Sequence, residues 1–336
     1  MLEKTLSDKI KIVSFIATVM VVYRHAFTIS AFFENGTIPS AYNRIIHRVI
    51  ASMTEVAVPV FFIISGYFFF RLSYLKAGQY GRMIKKKFFS LFIPFCFWNL
   101  MGLIVVAFYS PQIIPSSALN FLEYFFLSEP YGPLWYVRDL ILLMVMVPLY
   151  QWMFVSKLRS TPVVIVVALL FYLWIPVSTN LLNEESMLFF LLGGFISKHP
   201  IALSFHFSKM QTLFLVFSWL MVCFSINLWH FEWLHKLTTL WGITAFWACL
   251  DCIDNRMKNI CVRLSPYSFF IYVTHFYVVK TIKILLSRIA PGNDLISMFT
   301  FLFAPLFTIL VLIYLSRFLE KKAPSFYSIV MGGRAS

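Results

Sequence analysis

Ile12-Val-Ser-Phe-Ile-Ala-Thr-Val-Met-Val-Val-Tyr-Arg-His-Ala26-Phe27 is an apolar run interrupted once, by the adjacent pair Arg24-His25. A stretch this long and this apolar reads as a membrane helix, because about 20 such residues at 1.5 Å each cross a bilayer core of ~30 Å. The interruption is expensive. A charged side chain near the bilayer centre costs roughly 2.5–3.5 kcal/mol on insertion scales, so such residues face a polar interior and mark function. Histidine is also the side chain whose unperturbed pKa, about 6.5, suits proton transfer near neutrality.

The rest of the chain repeats the pattern. Of 336 residues, 60% are hydrophobic, only 12% are charged, and 39 are phenylalanine. An average soluble domain carries roughly 25% charged residues, so the composition gives an all-α, polytopic transmembrane helix bundle. The net charge of +14 would suggest nucleic-acid binding in a soluble protein. Here the basic residues cluster between apolar spans, which excludes that reading and leaves membrane lipids as the partner. Cys249-Leu-Asp-Cys252 has no second pair to complete a zinc site, and no bound metal is expected. The first apolar run carries no small-residue cleavage site and reads as a retained span.

About ten spans can be drawn: 10–32, 54–72, 88–110, 133–155, 161–177, 184–198, 210–229, 235–251, 266–287 and 295–318. The sixth contains Gly193-Gly194, which permits either close packing or a break. Segments 40–53 and 116–128 are mixed in polarity and read as interfacial helices. With the N-terminus inside, the inner segments hold twenty Lys and Arg residues and the outer ones four. That bias predicts ten spans with both termini cytoplasmic. On this scheme residues 1–336 form a single integral-membrane domain, of which 319–336 is a cytoplasmic tail.

Depth follows from the count. His25 is expected about 22 Å from the inner start of its span, in the outer third of the core. Arg138-Asp139 falls at a similar level in the fourth span, roughly 6–8 Å below the outer interface. Thr274-His275 lies about 13 Å along the ninth, with Lys280 and Lys283 further out. Together these predict a polar cavity opening outward.

Five patches then become specific as a set. They are Val58-Pro-Val-Phe-Phe-Ile-Ile-Ser-Gly-Tyr67, Lys87-Phe-Phe-Ser-Leu-Phe-Ile-Pro94 with Trp98-Asn99, Pro133-Leu-Trp-Tyr-Val-Arg-Asp-Leu140, Phe189-Phe-Leu-Leu-Gly-Gly-Phe195 and Ser268-Phe-Phe-Ile-Tyr-Val-Thr-His275. In order and spacing they resemble the bacterial membrane acyltransferase type 3 family, over about residues 8–318. The resemblance implies an inner-membrane O-acyltransferase. It would transfer acetyl from acetyl-coenzyme A to a sugar hydroxyl of a surface polysaccharide or its lipid-linked precursor. Two other readings stay open: a transporter or flippase for an acylated or lipid-linked glycan, and a succinyltransferase acting on periplasmic glucan.

The family's first-span histidine, usually given the catalytic role, falls on His25. Its common basic residue eleven positions earlier falls on Ser14, so that role is lost or passes to Arg24 or Lys11. Its paired-basic motif at the start of the third span keeps Lys87 but meets Ser90 at the second position. His25 is the expected general base. Arg24 and Arg138 are expected to stabilise the oxyanion or to hold neighbouring helices, although adjacent residues on a helix diverge by about 100°. His275 would position the acceptor or carry a second proton transfer, or be a buried structural histidine. Arg82, Lys85, Lys86 and Lys87 signal topology and are expected to receive the phosphates of acyl-coenzyme A. Ser65-Gly66-Tyr67 reads as a packing site. Glu55 reads as an interfacial residue rather than a catalytic acid.

Overall fold

A chain this apolar must satisfy its backbone N–H and C=O groups internally, and the helix is the local way to do so. The computed structural model describes residues 2–34, 36–71, 78–150, 161–174, 182–198, 207–229 and 232–334, and among them no strand occurs. The expected positions 151–155 and 175–177, with Lys76, Lys157 and Arg159, lie outside the described residues. Among the described residues, five stretches are long and apolar enough to cross a membrane: Leu6–Phe32, Ala41–Arg71, Gln79–Tyr109, Asn255–Ile289 and Asp294–Lys322. The other five expected spans are helical where they are described, apart from a turn at Met146, but shorter or more polar.

The chain divides into two compact units, residues 1–60 with 205–318 and residues 61–204 with 319–336. The first contains α1 (Leu2–Arg24), the short α2 (Ile29–Phe32), α3 (Ala41–Thr54) and the start of α4 (Ala57–Arg71). The second contains most of α4, α5 (Gln79–Lys87), α6 (Ile93–Tyr109), α7 (Ala118–Phe126), α8 (Trp135–Val145), α9 (Thr161–Trp174) and α10 (Glu184–Lys198). The first unit resumes with α11 (Lys209–Trp229), α12 (Glu232–Cys252), α13 (Asn255–Leu264), α14 (Ser268–Ile289) and nearly all of α15 (Asp294–Lys322). The short α16 (Pro324–Val330) belongs to the second. The two mixed-polarity segments are helices, α3 and α7, capped by Ser40 and Ser117.

In the first unit α1 is the central element, with Val13, Ala17 and Val22 fully buried. Lys9 near its start pairs with Asp251 of α12 at 2.8 Å. The expected first span differs from the observed helix at both ends. It begins at Leu2 and stops at Arg24, well short of residue 32. No glycine or proline ends it. Instead the His25 N–H divides between Val21 O (3.3 Å) and Val22 O (3.2 Å), and Ala26 N–H reaches Tyr23 O at 3.0 Å. The last turn tightens from i−4 to i−3 bonding, which is how helix ends use their orphan groups.

In the second unit α4 and α10 approach at backbone distance, as small residues allow between membrane helices. A Cβ on Gly66 would sit 2.0 Å from the Phe190 carbonyl oxygen, and one on Gly193 would sit 2.1 Å from that of Ile63. Gly193-Gly194 is therefore a packing site inside a continuous helix, not a break. Gly66→Ala is expected to cost about 1–3 kcal/mol, the range for overpacking. Thermal melting of the purified protein measures this, with Gly81→Ala as the control. A Cβ on Gly81 would meet nothing within 4 Å, so the melting point of that variant should hold or rise slightly.

Candidate functional site

The site in the first unit is built around the end of α1. His25 is the first residue beyond that helix, and its ring is half-buried. The His275 ring of α14 lies 5.2 Å away centroid to centroid, and Phe276 meets His25 edge-on at 5.3 Å. His275 is fully buried. Its Nδ1 faces two carbonyl oxygens of its own helix, Tyr272 O at 2.8 Å and Ile271 O at 3.1 Å. A nitrogen between two acceptors must carry the proton, so the neutral ring keeps its lone pair on Nε2. That Nε2 has no hydrogen-bond partner among the described residues.

Arg24 turns away, as the 100° offset requires. Its Nη2 meets Glu55 Oε1 at 3.2 Å, while Glu55 Oε2 meets His235 Nε2 of α12 at 2.7 Å. Glu55 follows α3 and so joins three elements through one carboxylate. The guanidinium also lies 5.6 Å from the Phe27 ring. Glu55, read from sequence as interfacial, is thus a bridging residue within the unit. Nothing in the sequence marks His235 as its partner.

A second polar group holds the chain just after His25. With His47 neutral, its Nδ1–H donates to Asn43 O (2.9 Å) and its Nε2 accepts from the Thr28 hydroxyl (2.9 Å). Thr28 Oγ1 is 2.9 Å from Ser297 Oγ, which Asn43 Nδ2 reaches at 3.3 Å. Asp294 anchors the far side, accepting from Asn43 Nδ2 (3.0 Å) and from the Ser40 hydroxyl and N–H (2.5 and 2.9 Å). The His47 ring stacks on Phe301 at 3.9 Å. Thr28, Asn43, His47 and Ser297 are all buried, so losing one of these bonds would strand a buried polar atom; Asn43 Oδ1 already has no partner among the described residues. Sequence reading passed over this network. Its one local signal is the i,i+4 spacing of Asn43 and His47, which sets both on one face of α3.

The remaining candidates belong to the second unit. Arg138 Nε and Nη2 grip Asp139 Oδ1 at 2.9 and 2.8 Å, and Nη1 donates to Leu127 O at 3.0 Å. The other oxygen of Asp139 accepts from Ser186 Oγ (2.5 Å) and Asn183 N–H (3.1 Å). Asp139 is completely buried and the Arg138 side chain 13% exposed. In the basic run of α5, Arg82, Lys85 and Lys86 are exposed, whereas Lys87 is half-buried with Nζ 5.3 Å from the Phe69 ring. The structure therefore brings His25, His275 and Arg24 to one region of the first unit. It gives Arg138 a carboxylate partner in the second.

A family model described as an acyltransferase domain matches residues 9–316. The chain belongs to the acyltransferase type 3 family. No curated protein and no solved structure matches it. A type 3 acyltransferase moves an acyl group from a donor to an acceptor, and the apolar helices make this member a multi-pass membrane protein. Each of the five patches that carried the resemblance lies within the matched residues.

Proposed function

We propose that this acyltransferase transfers acetyl from acetyl-coenzyme A to a sugar hydroxyl of a surface polysaccharide or its lipid-linked precursor, in a bacterial inner membrane. The observation that carries the site assignment is the His25 ring, presented beyond the end of α1 with the His275 ring 5.2 Å away, whose Nε2 has no hydrogen-bond partner among the described residues. Neutral His25 removes the proton from the acceptor hydroxyl as its oxygen attacks the thioester carbonyl. An oxygen–carbon bond forms, the carbon–sulfur bond breaks, and the imidazolium returns the proton to the departing thiolate. His275 Nε2 is oriented as an acceptor and positions the hydroxyl or the His25 N–H. Arg24 then serves to hold the turn through Glu55.

The excess of Lys and Arg on alternate connections supports ten spans with both termini cytoplasmic. In that arrangement Arg82, Lys85, Lys86 and Lys87 lie on the cytoplasmic side, from which the donor phosphates would approach. The test uses purified protein in lipid with labelled acetyl-coenzyme A or succinyl-coenzyme A and a glycan-lipid acceptor. Acetyl transfer to the glycan is expected. Succinyl transfer alone would change the donor, while glycan movement without any acyl transfer would replace the reading with a transporter.

A further inference from the structure

α1 stops at Arg24 and α2 begins at Ile29, so His25 lies in a short segment, 25–28, outside both helices. One element brackets that segment. On its near side Arg24 meets Glu55, the residue that closes α3, at 3.2 Å. At its far end the Thr28 hydroxyl meets His47, in the middle of α3, at 2.9 Å. α3 thus holds the chain on either side of His25.

The Thr28 anchor is a closed ring of directed hydrogen bonds. With His47 neutral, the Thr28 hydroxyl donates to His47 Nε2, and the Thr28 N–H points at the same nitrogen from 3.4 Å. Thr28 Oγ1 then accepts from the Ser297 hydroxyl at 2.9 Å, and Ser297 Oγ accepts from Asn43 Nδ2 at 3.3 Å. His47 Nδ1–H returns to Asn43 O at 2.9 Å and closes the ring. The remaining Asn43 Nδ2 hydrogen goes to Asp294 Oδ1 at 3.0 Å. A hydroxyl has one proton to give, so once His47 takes that of Thr28 the direction of the other bonds follows.

Two features direct this ring at the segment rather than at the packing of α3 alone. Thr28 stands at the N-cap of α2, where a threonine hydroxyl ordinarily caps the helix, yet it makes no cap bond there. The hydroxyl serves His47 instead. Phe27 stacks on Phe301 at 5.5 Å, and the same ring lies 3.9 Å from that of His47. A hydroxyl on a histidine nitrogen is also how a nucleophile meets its base. Thr28 and His47, however, are only 0% and 3% exposed, out of a substrate's reach, so the pair holds the chain and does not react.

We propose that His47 is a positioning residue for acyl transfer: through Thr28 it fixes the segment that carries His25, and so sets the His25 ring beside His275. The inference rests on the reading of His25 as general base. A base must sit within hydrogen-bond reach of the proton it removes, and a misplacement of about 1 Å can cost about 10²-fold in rate. No helix intervenes between Thr28 and His25 to hold the ring if the anchor is lost.

The test uses the full-length protein in lipid nanodiscs, as Thr28→Val, Thr28→Ser, His47→Phe, His25→Ala and the double variant of Thr28→Val with His25→Ala. Single-turnover transfer from labelled acetyl-coenzyme A to the glycan-lipid acceptor is measured beside melting. The His25 ring resonance is followed in protein carrying isotope-labelled histidine and assigned by its loss in His25→Ala. Thr28→Val and His47→Phe should each slow transfer by about 10–10²-fold and shift that resonance. Thr28→Ser, which keeps the hydroxyl, should retain most of the wild-type rate. In the His25→Ala background Thr28→Val should cost nothing further, because the ring acts only through His25. An equal loss in both backgrounds, or a loss that follows the melting point with the resonance unmoved, would make the ring purely structural and overturn the proposal. Wild-type rate in Thr28→Val, with His25→Ala inactive, would overturn it while leaving the general-base reading intact. Wild-type rate in His25→Ala would instead remove the general-base reading, and the proposal with it.

Discussion

Acyl transfer by His25→Ala is expected to fall by about 10²–10⁴-fold, the usual contribution of a positioned general base. The fold should survive the change. His25 lies past the end of α1, and its backbone N–H, which closes the last turn through Val21 and Val22, is kept in the variant. What is lost is a half-buried ring touching His275 and Phe276. His25→Gln, which can hydrogen-bond but cannot accept a proton at neutral pH, should be as inactive as the alanine variant. Transfer is measured with labelled donor at saturating acceptor, and melting of each variant is recorded beside it. Activity in either variant close to wild type would remove His25 from the chemistry.

Asp139→Ala is expected to destabilise the protein by about 3–5 kcal/mol, the cost of breaking a buried ion pair from one side. The carboxylate serves four donors at once. Arg138 takes one oxygen through two nitrogens, and Ser186 and Asn183 take the other. Its removal strands a guanidinium that is itself largely out of solvent. Asp139→Asn keeps the shape but not the charge and should lose less, so the order of melting points is wild type, Asn, Ala. Equal melting points for all three would mean that the network does not hold α8 to α10.

How much could be read in advance is clearest from particular residues. Gly66 was legible as a packing site because small residues at helix interfaces act through size alone, whereas Gly193 read equally as close packing or a break until its approach to Ile63 decided it. His25 and His275 were legible as costly residues in apolar runs. Glu55 was visible and assigned to the interface, because nothing local indicates that α12 brings His235 to it. The end of the first helix at Arg24 was missed as well. No breaker residue marks it, and the Thr28–His47–Ser297 network that holds the following chain joins three distant parts of the sequence.

Apolar runs, the placement of Lys and Arg, and five ordered patches determined by themselves that this is a helical membrane protein of the acyltransferase type 3 family. Those properties are local, because an apolar medium obliges each segment to satisfy its own backbone within a helix. The partners of the polar side chains were decided only by the tertiary structure. Whether Arg24 meets Glu55, or His25 meets His275, depends on which helix faces come together, and that is set by packing summed over the whole unit rather than by any stretch of sequence.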